Sequence, residues 1–329
     1  MTTARHIDGV LVQWGDRLFY PANRIVKVAP APRLNAAIKR RASAIRQRIA
    51  AVVRRAPQVM VKVTGGGRGM GAITAHFRYI SRNGRLGMED DRGVMRTGRE
   101  AVSDLADQWR YGGTLIDEVG HRREAFNIML SMPAGTDAGF VQKAAREFAH
   151  AELAGHRYVM VLHEHQANPH VHLSVRAESA SGSRLNPRKS DLHRWRETFA
   201  EKLRGWGIDA EATRQASRGA TRNYDPLWRI SAKREWRLRK EMAPSKATAG
   251  SVASRSEAMM SWAQIMRALS ASDVSEDRRL AERIGIFVRD TPFMVDHAAE
   301  RAPDRAPPQS RSAASRELPG SRSDRDVSR

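Results

Sequence analysis

The chain has 329 residues, no cysteine, and 57 Lys and Arg against 36 Asp and Glu, for a formal net charge of +21. Without thiols there can be neither disulfides nor thiolate metal sites, so any metal must sit on histidine or oxygen ligands. No run of about 18 apolar residues is present, and the opening MTTARHIDGVLVQWGDR has no apolar secretory core, so a cytoplasmic protein without membrane insertion is expected.

In chain order, VLVQW and RIVKV near the start read as short strands that end at the Pro-rich APAPR. From Arg33 to Arg55 the residues Leu34, Ile38, Ala42, Ile45, Ile49 and Val52 recur every three or four positions among arginines, which predicts a basic amphipathic helix. QVMVKV predicts a strand. The loop TGGGRGMG that follows lacks both the GK[ST] ending and the GxGxxG spacing of nucleotide-binding loops, so it reads as a strand-to-helix turn with accessible backbone amides. Ile73, Phe77 and Ile80 then mark a short helix that carries Tyr79 and closes at Gly84. AFNIMLSMPAGT predicts a buried strand and a turn. DAGFVQKAAREFAHAEL predicts a helix with Phe140, Ala144, Phe148 and Ala151 on one side. A further helix, KSDLHRWRETFAEKLRGWG, has the stripe Leu192, Trp195, Phe199 and Leu203. The very basic LWRISAKREWRLRKEM comes next, and from about residue 301 the composition predicts disorder. Four regions result: a basic N-terminal extension (1–56), a core domain (57–220), a basic helical region (221–300) and a tail (301–329).

The charge is uneven along this order. No acidic residue lies between Asp16 and Glu89, while Arg or Lys occurs sixteen times from Arg17 to Arg85, so no pairing is available within the segment. Such a run points to a polyanionic partner, with a merely solvated basic face as the alternative. A membrane surface is the weaker reading, because the Trp/Phe/Leu face that enters lipid is missing.

Between two helical stretches lies VLHEHQANPHVHLSV, with four of the eleven histidines in ten residues. Alternation puts His163 and His165 on one parity and His170 and His172 on another, with QANP as a four-residue turn. That register pairs His165 with His170 and His163 with His172 on one face, where imidazoles can converge on an ion. The other face, Tyr158, Met160, Leu162, Val171, Leu173 and Val175, packs under helices. Imidazole ligands suit Mn²⁺, Zn²⁺, Co²⁺ or Ni²⁺, and Mg²⁺ serves where a substrate phosphate completes the shell. A cation beside a basic surface can polarise a phosphodiester. The nucleophile is then either water, giving hydrolysis, or a tyrosine, giving a covalent phosphotyrosine. Tyr79 is the candidate tyrosine, and an aromatic anchor for its helix is the plainer alternative.

HFRYISRNG, then LSMPAGTD, then HEHQANPHVH, in this order and spacing, resemble the P-type (MOBP) mobilisation relaxases, the group related to the T-DNA border endonuclease. The resemblance runs from about Gln58 to Gly219. It implies an α+β fold of the HUH type, a two-layer antiparallel sheet with flanking helices and the histidine hairpin at its centre. It also implies site- and strand-specific nicking at an origin of transfer, in single-stranded or supercoiled DNA. Tyr79 matches the nucleophile that leaves a 5′-phosphotyrosyl link and later allows rejoining. His163, His170 and His172 match the ligands of a divalent metal, Mg²⁺ or Mn²⁺ first, with Zn²⁺, Co²⁺ or Ni²⁺ as alternatives. Ser131, Thr136, Arg68, Arg78 and Arg82 are candidates for contact with DNA. His165 stands where relatives commonly carry an acidic residue; as a proton acceptor it would be catalytic, as a fourth ligand structural, and otherwise the activity would be weakened. The implied partners are relaxosome accessory proteins and a type IV coupling protein that reads the tail, with export covalently bound to DNA. The competing expectations are a non-catalytic DNA-binding accessory protein with a structural metal, and a replication initiator of the HUH class.

Overall fold

Tyr158, Val159, Met160 and Val161 alternate along one strand, yet all four are buried, and a strand apolar on both faces needs cover on both. The computed structural model, which describes residues 2–20, 35–220 and 249–301, shows where that cover comes from. Six strands form one antiparallel sheet: β1 (Met60–Gly65), β2 (Met88–Asp90), β3 (Met95–Arg96), β4 (Ala125–Ser131), β5 (His156–His163) and β6 (His170–Ser179). Their order is β1-β4-β6-β5-β2-β3, so the two strands of the histidine hairpin are the central pair.

Helices α3 (Met70–Ile80) and α4 (Arg99–Tyr111) pack Ile73, Phe77, Leu105 and Trp109 onto Val159 and Val161. On the opposite face α5 (Ala138–Glu152) and α6 (Lys189–Gly205) bring Phe148, Trp195, Phe199 and Leu203 to Ile128, Leu130, Met160 and Leu173. The protein is α+β as expected. The sheet, however, is the middle of three layers and not one of two, because Val159, Val161 and Ala125 on the histidine-side parity are themselves apolar and require a roof. On α5 the buried side is Val141, Ala144, Ala145, Phe148 and Ala149, while Phe140 packs outward against the Trp206 ring.

The ends of the chain depart from expectation. Residues 2–19 are one helix, α1 (Thr2–Phe19), and VLVQW lies inside it. Ile7, Leu11 and Leu18 recur at helical spacing and meet a common core, so packing outweighs the β preference of Val10 and Val12. RIVKV, the basic stretch 227–242 and the tail lie outside the described residues. Helix α2 (Ala36–Val53) forms where predicted; Asn35 caps it by accepting from the Ile38 amide at 2.9 Å. Ile45 and Ile49 join Leu11, Leu18 and Phe19, and the same core takes in Trp262 and Ile265 of α7 (Ala249–Ser270) and Ile284 of α8 (Ser275–Arg289), before α9 (Pro292–Arg301).

The arginines of α2, although far in sequence from any acid, find acids in space. Arg41 pairs with Asp16 at 2.7 Å, and Arg46 with Asp8 at 2.7 Å and Asp277 at 2.8 Å. Arg48 pairs with Glu197 at 2.5 Å and Glu211 at 3.4 Å, and stacks on Phe19 and Tyr20. Much of the charge on this helix is therefore spent inside the protein. Arg48 and Glu211 are buried, and burial pushes the Glu211 carboxyl up despite its cationic neighbours. Arg48→Ala should cost about 3 kcal/mol, the usual penalty for stranding one partner of a buried pair. Urea denaturation checks this; a loss under about 1 kcal/mol would mean that the pair is dispensable.

Candidate metal centre and tyrosine site

The hairpin ladder pairs His163 with His170 and Val161 with His172, a register two residues from the expected one. The connection is thus 164–169, six residues and not four. Because the slip is even, the parity of every side chain survives and the histidines still share a face. The Pro169 carbonyl, which accepts from the Met132 amide at 3.1 Å, ties the turn to the end of β4. His165 falls outside the ladder.

Ring centroids of His163, His170 and His172 lie 4.7 to 5.1 Å apart, and their ligand nitrogens are all within 4.8 Å of one another. The backbone selects the tautomers. His163 Nε2 donates to the Ile80 carbonyl at 2.7 Å and His170 Nδ1 to the Asn168 carbonyl at 2.9 Å, which leaves Nδ1 of the first and Nε2 of the second as lone-pair donors. His172 Nδ1 is buried with no hydrogen-bond partner. Burial pushes the His172 imidazole down to about 3 and holds His163 below its ordinary value, so both are neutral at pH 7, as ligands must be. Three imidazoles, two oriented by carbonyls and one with an orphaned buried nitrogen, are a donor set that suits a divalent cation.

Helix α3 brings the tyrosine to this cluster. Its buried stripe is Met70, Ile73, Phe77 and Ile80, which turns Tyr79 outward, 71 % exposed. The Tyr79 ring lies 6.4 Å from that of His172, at 80°. One turn earlier on the same face stands His76, 6.2 Å from Tyr79 and 6.5 Å from His172, with Nε2 buried and unpartnered. His76 is not among the residues that the sequence singles out, although its i, i+3 spacing to Tyr79 is the available signal. The glycine loop before α3 serves close packing: a Cβ on Gly69 would lie 2.4 Å from the Glu118 carbonyl oxygen. Three of its amides, those of Gly67, Met70 and Gly71, are engaged, donating to the Ala125, Asp117 and Glu118 carbonyls.

After α3 the chain turns through Arg82, Asn83 and Gly84, all left-handed with φ of 51°, 57° and 82°. Such a conformation costs about 1 kcal/mol or more at each non-glycine residue. Buried Ser81 holds the turn, donating to the Phe77 carbonyl at 2.7 Å and accepting from the Gly84 amide at 3.0 Å. The result is that Arg82 donates to His165 Nε2 at 2.5 Å. His165 is exposed and its ring stands 5.2 Å from that of His163, but among the described residues the ligand cluster holds three histidines without it.

The other candidates divide. Arg78 and Arg82 are exposed on and after the tyrosine helix. Ser131 lies opposite His170 but is 3 % exposed, and its hydroxyl donates to the Pro169 carbonyl at 3.3 Å; it braces the turn and does not face outward. Thr136 donates to the Pro133 carbonyl in the turn after β4. Arg68 is not brought to the triad. It lines a basic pocket of about 350 Å³ with His121, Arg123 and Phe126, and Phe126, the second residue of β4, lies on the face opposite to the histidines.

The buried imidazoles make stability depend on pH. His76 is pushed down to about 4 and His172 to about 3, against 6.5 when unfolded, so below pH 6.5 the unfolded chain binds more protons. Their contribution is complete above about 6.5 and is lost as pH falls toward the folded values. Metal-free protein should therefore melt at progressively lower temperature between pH 7 and pH 5, and His76→Gln should shallow that slope. A melting temperature flat across this range would contradict the assignment.

Residues 79–208 match the model of the MobA/VirD2-like relaxase nuclease domain. The T-DNA border endonucleases VirD2 of Rhizobium radiobacter and Rhizobium rhizogenes are 27% and 26% identical over 190 residues, which cover 49% of this chain and 43% and 42% of theirs. The chain thus spans less than half the length of these relatives. The match opens at the tyrosine of α3, contains the histidine hairpin and closes just past α6. The segment 79–208 is related to the MobA/VirD2-like relaxase nuclease domain and, through it, to the T-DNA border endonucleases.

Proposed function

We propose that this chain is a conjugative relaxase that nicks one strand at an origin of transfer through Tyr79. Attack of the phenolic oxygen forms the Tyr79 O–P bond and breaks the bond from phosphorus to the 3′ oxygen. That oxygen takes up a proton as the phenol loses one. The 5′-phosphotyrosyl link keeps the bond energy, so the 3′-OH can reverse the step and rejoin the strand. His163, His170 and His172 would hold a divalent cation, Mg²⁺ or Mn²⁺, which when bound supplies Lewis-acid polarisation of the phosphate. Arg78 and Arg82 lie where they can neutralise phosphates beside the tyrosine. His165, with Nε2 occupied by Arg82, acts in this reading by holding that arginine and the turn after Tyr79, in preference to taking the phenolic proton.

The observation that carries the proposal is the 71 % exposure of Tyr79 beside the histidine cluster. An aromatic anchor would be buried, as Phe77 is, so an accessory protein with a structural metal fits less well. No described helix is long and apolar enough to cross a membrane. The proposed setting is the cytoplasm, with accessory proteins at the origin, a type IV coupling protein, and passage out of the cell linked to DNA.

The test uses supercoiled plasmid carrying the cognate origin, with Mg²⁺ or Mn²⁺, quenched in detergent and digested with protease. Open circles with a peptide-blocked 5′ end and an extendable 3′-OH are expected. Free 5′ phosphates would indicate a hydrolytic nuclease.

A further inference from the structure

Helix α3 carries a second ring beside Tyr79. His76 precedes it by three residues, so the two side chains share a face of the helix. Their rings lie 6.2 Å apart and within 27° of parallel, and the two stand almost equally far from His172, at 6.5 Å for His76 and 6.4 Å for Tyr79. The three rings therefore mark a nearly equilateral triangle, with the phenol at one corner and a triad imidazole at another. Tyr79 is exposed and His172 buried, so the triangle opens to solvent at the phenol. A phosphate held between those two corners borders the third.

Nothing in the packing uses the His76 nitrogen. Nε2 is buried without a hydrogen-bond partner. A buried donor left unpaired destabilises a fold, and an apolar side chain would fill the same space at less cost. The neighbouring orphan, His172 Nδ1, belongs to a member of the ligand cluster. His76 does not. Rings of the triad are 4.7 to 5.1 Å apart, whereas His76 is 6.5 Å from His172 and stands outside the group whose ligand nitrogens lie within 4.8 Å of one another. His165, the other histidine beside the cluster, has its Nε2 engaged with Arg82. The family match opens at Tyr79 and does not include His76.

We infer that His76 is a catalytic residue of the Tyr79 reaction, its imidazole donating an Nε2–H hydrogen bond to a non-bridging oxygen of the scissile phosphate. The inference rests on the relaxase reading and adds to it a contact that neither the triad nor the arginines supply. In phosphoryl transfer the equatorial oxygens carry the charge of the transition state, and a fixed donor aimed at one of them favours that state over the bound strand. The proton stays on nitrogen, so the balance of the transfer is unchanged.

The test follows single-turnover cleavage, in Mn²⁺, of a labelled single strand spanning the cleavage point mapped on the plasmid. His76→Phe keeps a ring against Tyr79 and removes the N–H; His76→Leu removes the ring as well. Both should slow cleavage about a hundredfold, the scale for one lost donor at a developing oxyanion. His76→Gln, whose amide reaches much as Nε2 does, should return to within about tenfold of the parent. Mn²⁺ affinity, and affinity for the uncleaved strand in a Tyr79→Phe background, should stay within about threefold in each variant, as for a contact made chiefly in the transition state.

The readout that packing would not move is a strand with sulfur replacing one non-bridging oxygen at the cleavage point, with Mn²⁺ chosen because it accepts sulfur more readily than Mg²⁺. One of the two diastereomers should slow the parent at least about tenfold yet slow His76→Phe no more than about twofold, because that contact is already gone. Equal slowing of parent and variant, or a Gln variant as slow as Leu, would assign His76 to packing and overturn the inference while the Tyr79 chemistry stands. So would cleavage by His76→Phe within about threefold of the parent. Loss of Mn²⁺ from His76→Phe would make the residue a ligand and overturn it likewise. If the parent forms no Tyr79 adduct, the relaxase reading and this one fall together.

Discussion

Tyr79→Phe should abolish the covalent protein–DNA adduct, with the rate of strand cleavage falling by at least about a thousandfold, as for other removed nucleophiles. The substitution deletes a single oxygen. The ring of Tyr79 is mostly in solvent and packs only loosely toward His76 and His172, so stability should change by no more than about 0.5 kcal/mol. Binding of unreacted single-stranded DNA should persist. The measurement is a denaturing gel that separates protein-linked from free labelled strand, run beside a melting curve of the same preparation. A variant that nicks as fast as the parent would remove Tyr79 from the chemistry, whatever its position in the fold.

His172→Asn should remove stoichiometric Mn²⁺ binding and reduce cleavage at least about a hundredfold, the scale of losing Lewis-acid stabilisation at a phosphoryl centre. His172 is the informative member of the triad, since His163 and His170 also hold backbone carbonyls that shape α3 and the 164–169 turn. Replacing either of those would mix loss of a ligand with loss of local structure. Asparagine keeps the polarity of a buried position. Calorimetric titration with Mn²⁺ provides the readout, and Tyr79→Phe should titrate normally, which separates the two variants. Unchanged Mn²⁺ affinity in His172→Asn would mean that these imidazoles serve some purpose other than holding a cation.

Periodicity is legible in the order of residues alone. The stripes Ala42–Ile45–Ile49–Val52, Ile73–Phe77–Ile80 and Trp195–Phe199–Leu203 identify helices because side chains three and four apart share a face of any α-helix, whatever surrounds it. Alternation across the hairpin likewise puts His163, His170 and His172 on one face, and that survives the change of register because the shift is even. β2 and β3, three and two residues long, are too short to show a period.

The remainder depends on partners distant in sequence. That α1 is helical follows from the core it shares with α2, α7 and α8. That the arginines of α2 are largely neutralised follows from Asp8, Asp277, Glu197 and Glu211, brought in from segments before and well after the helix. The contact from Arg82 to His165 requires a left-handed turn to meet the hairpin, and nothing in either motif alone specifies that meeting. A repeating pattern records which way each side chain points from its own backbone. Register, layer and charge partner are instead set when burial and electrostatics choose among all segments that could meet, and the one-dimensional order of residues does not contain that choice in local form.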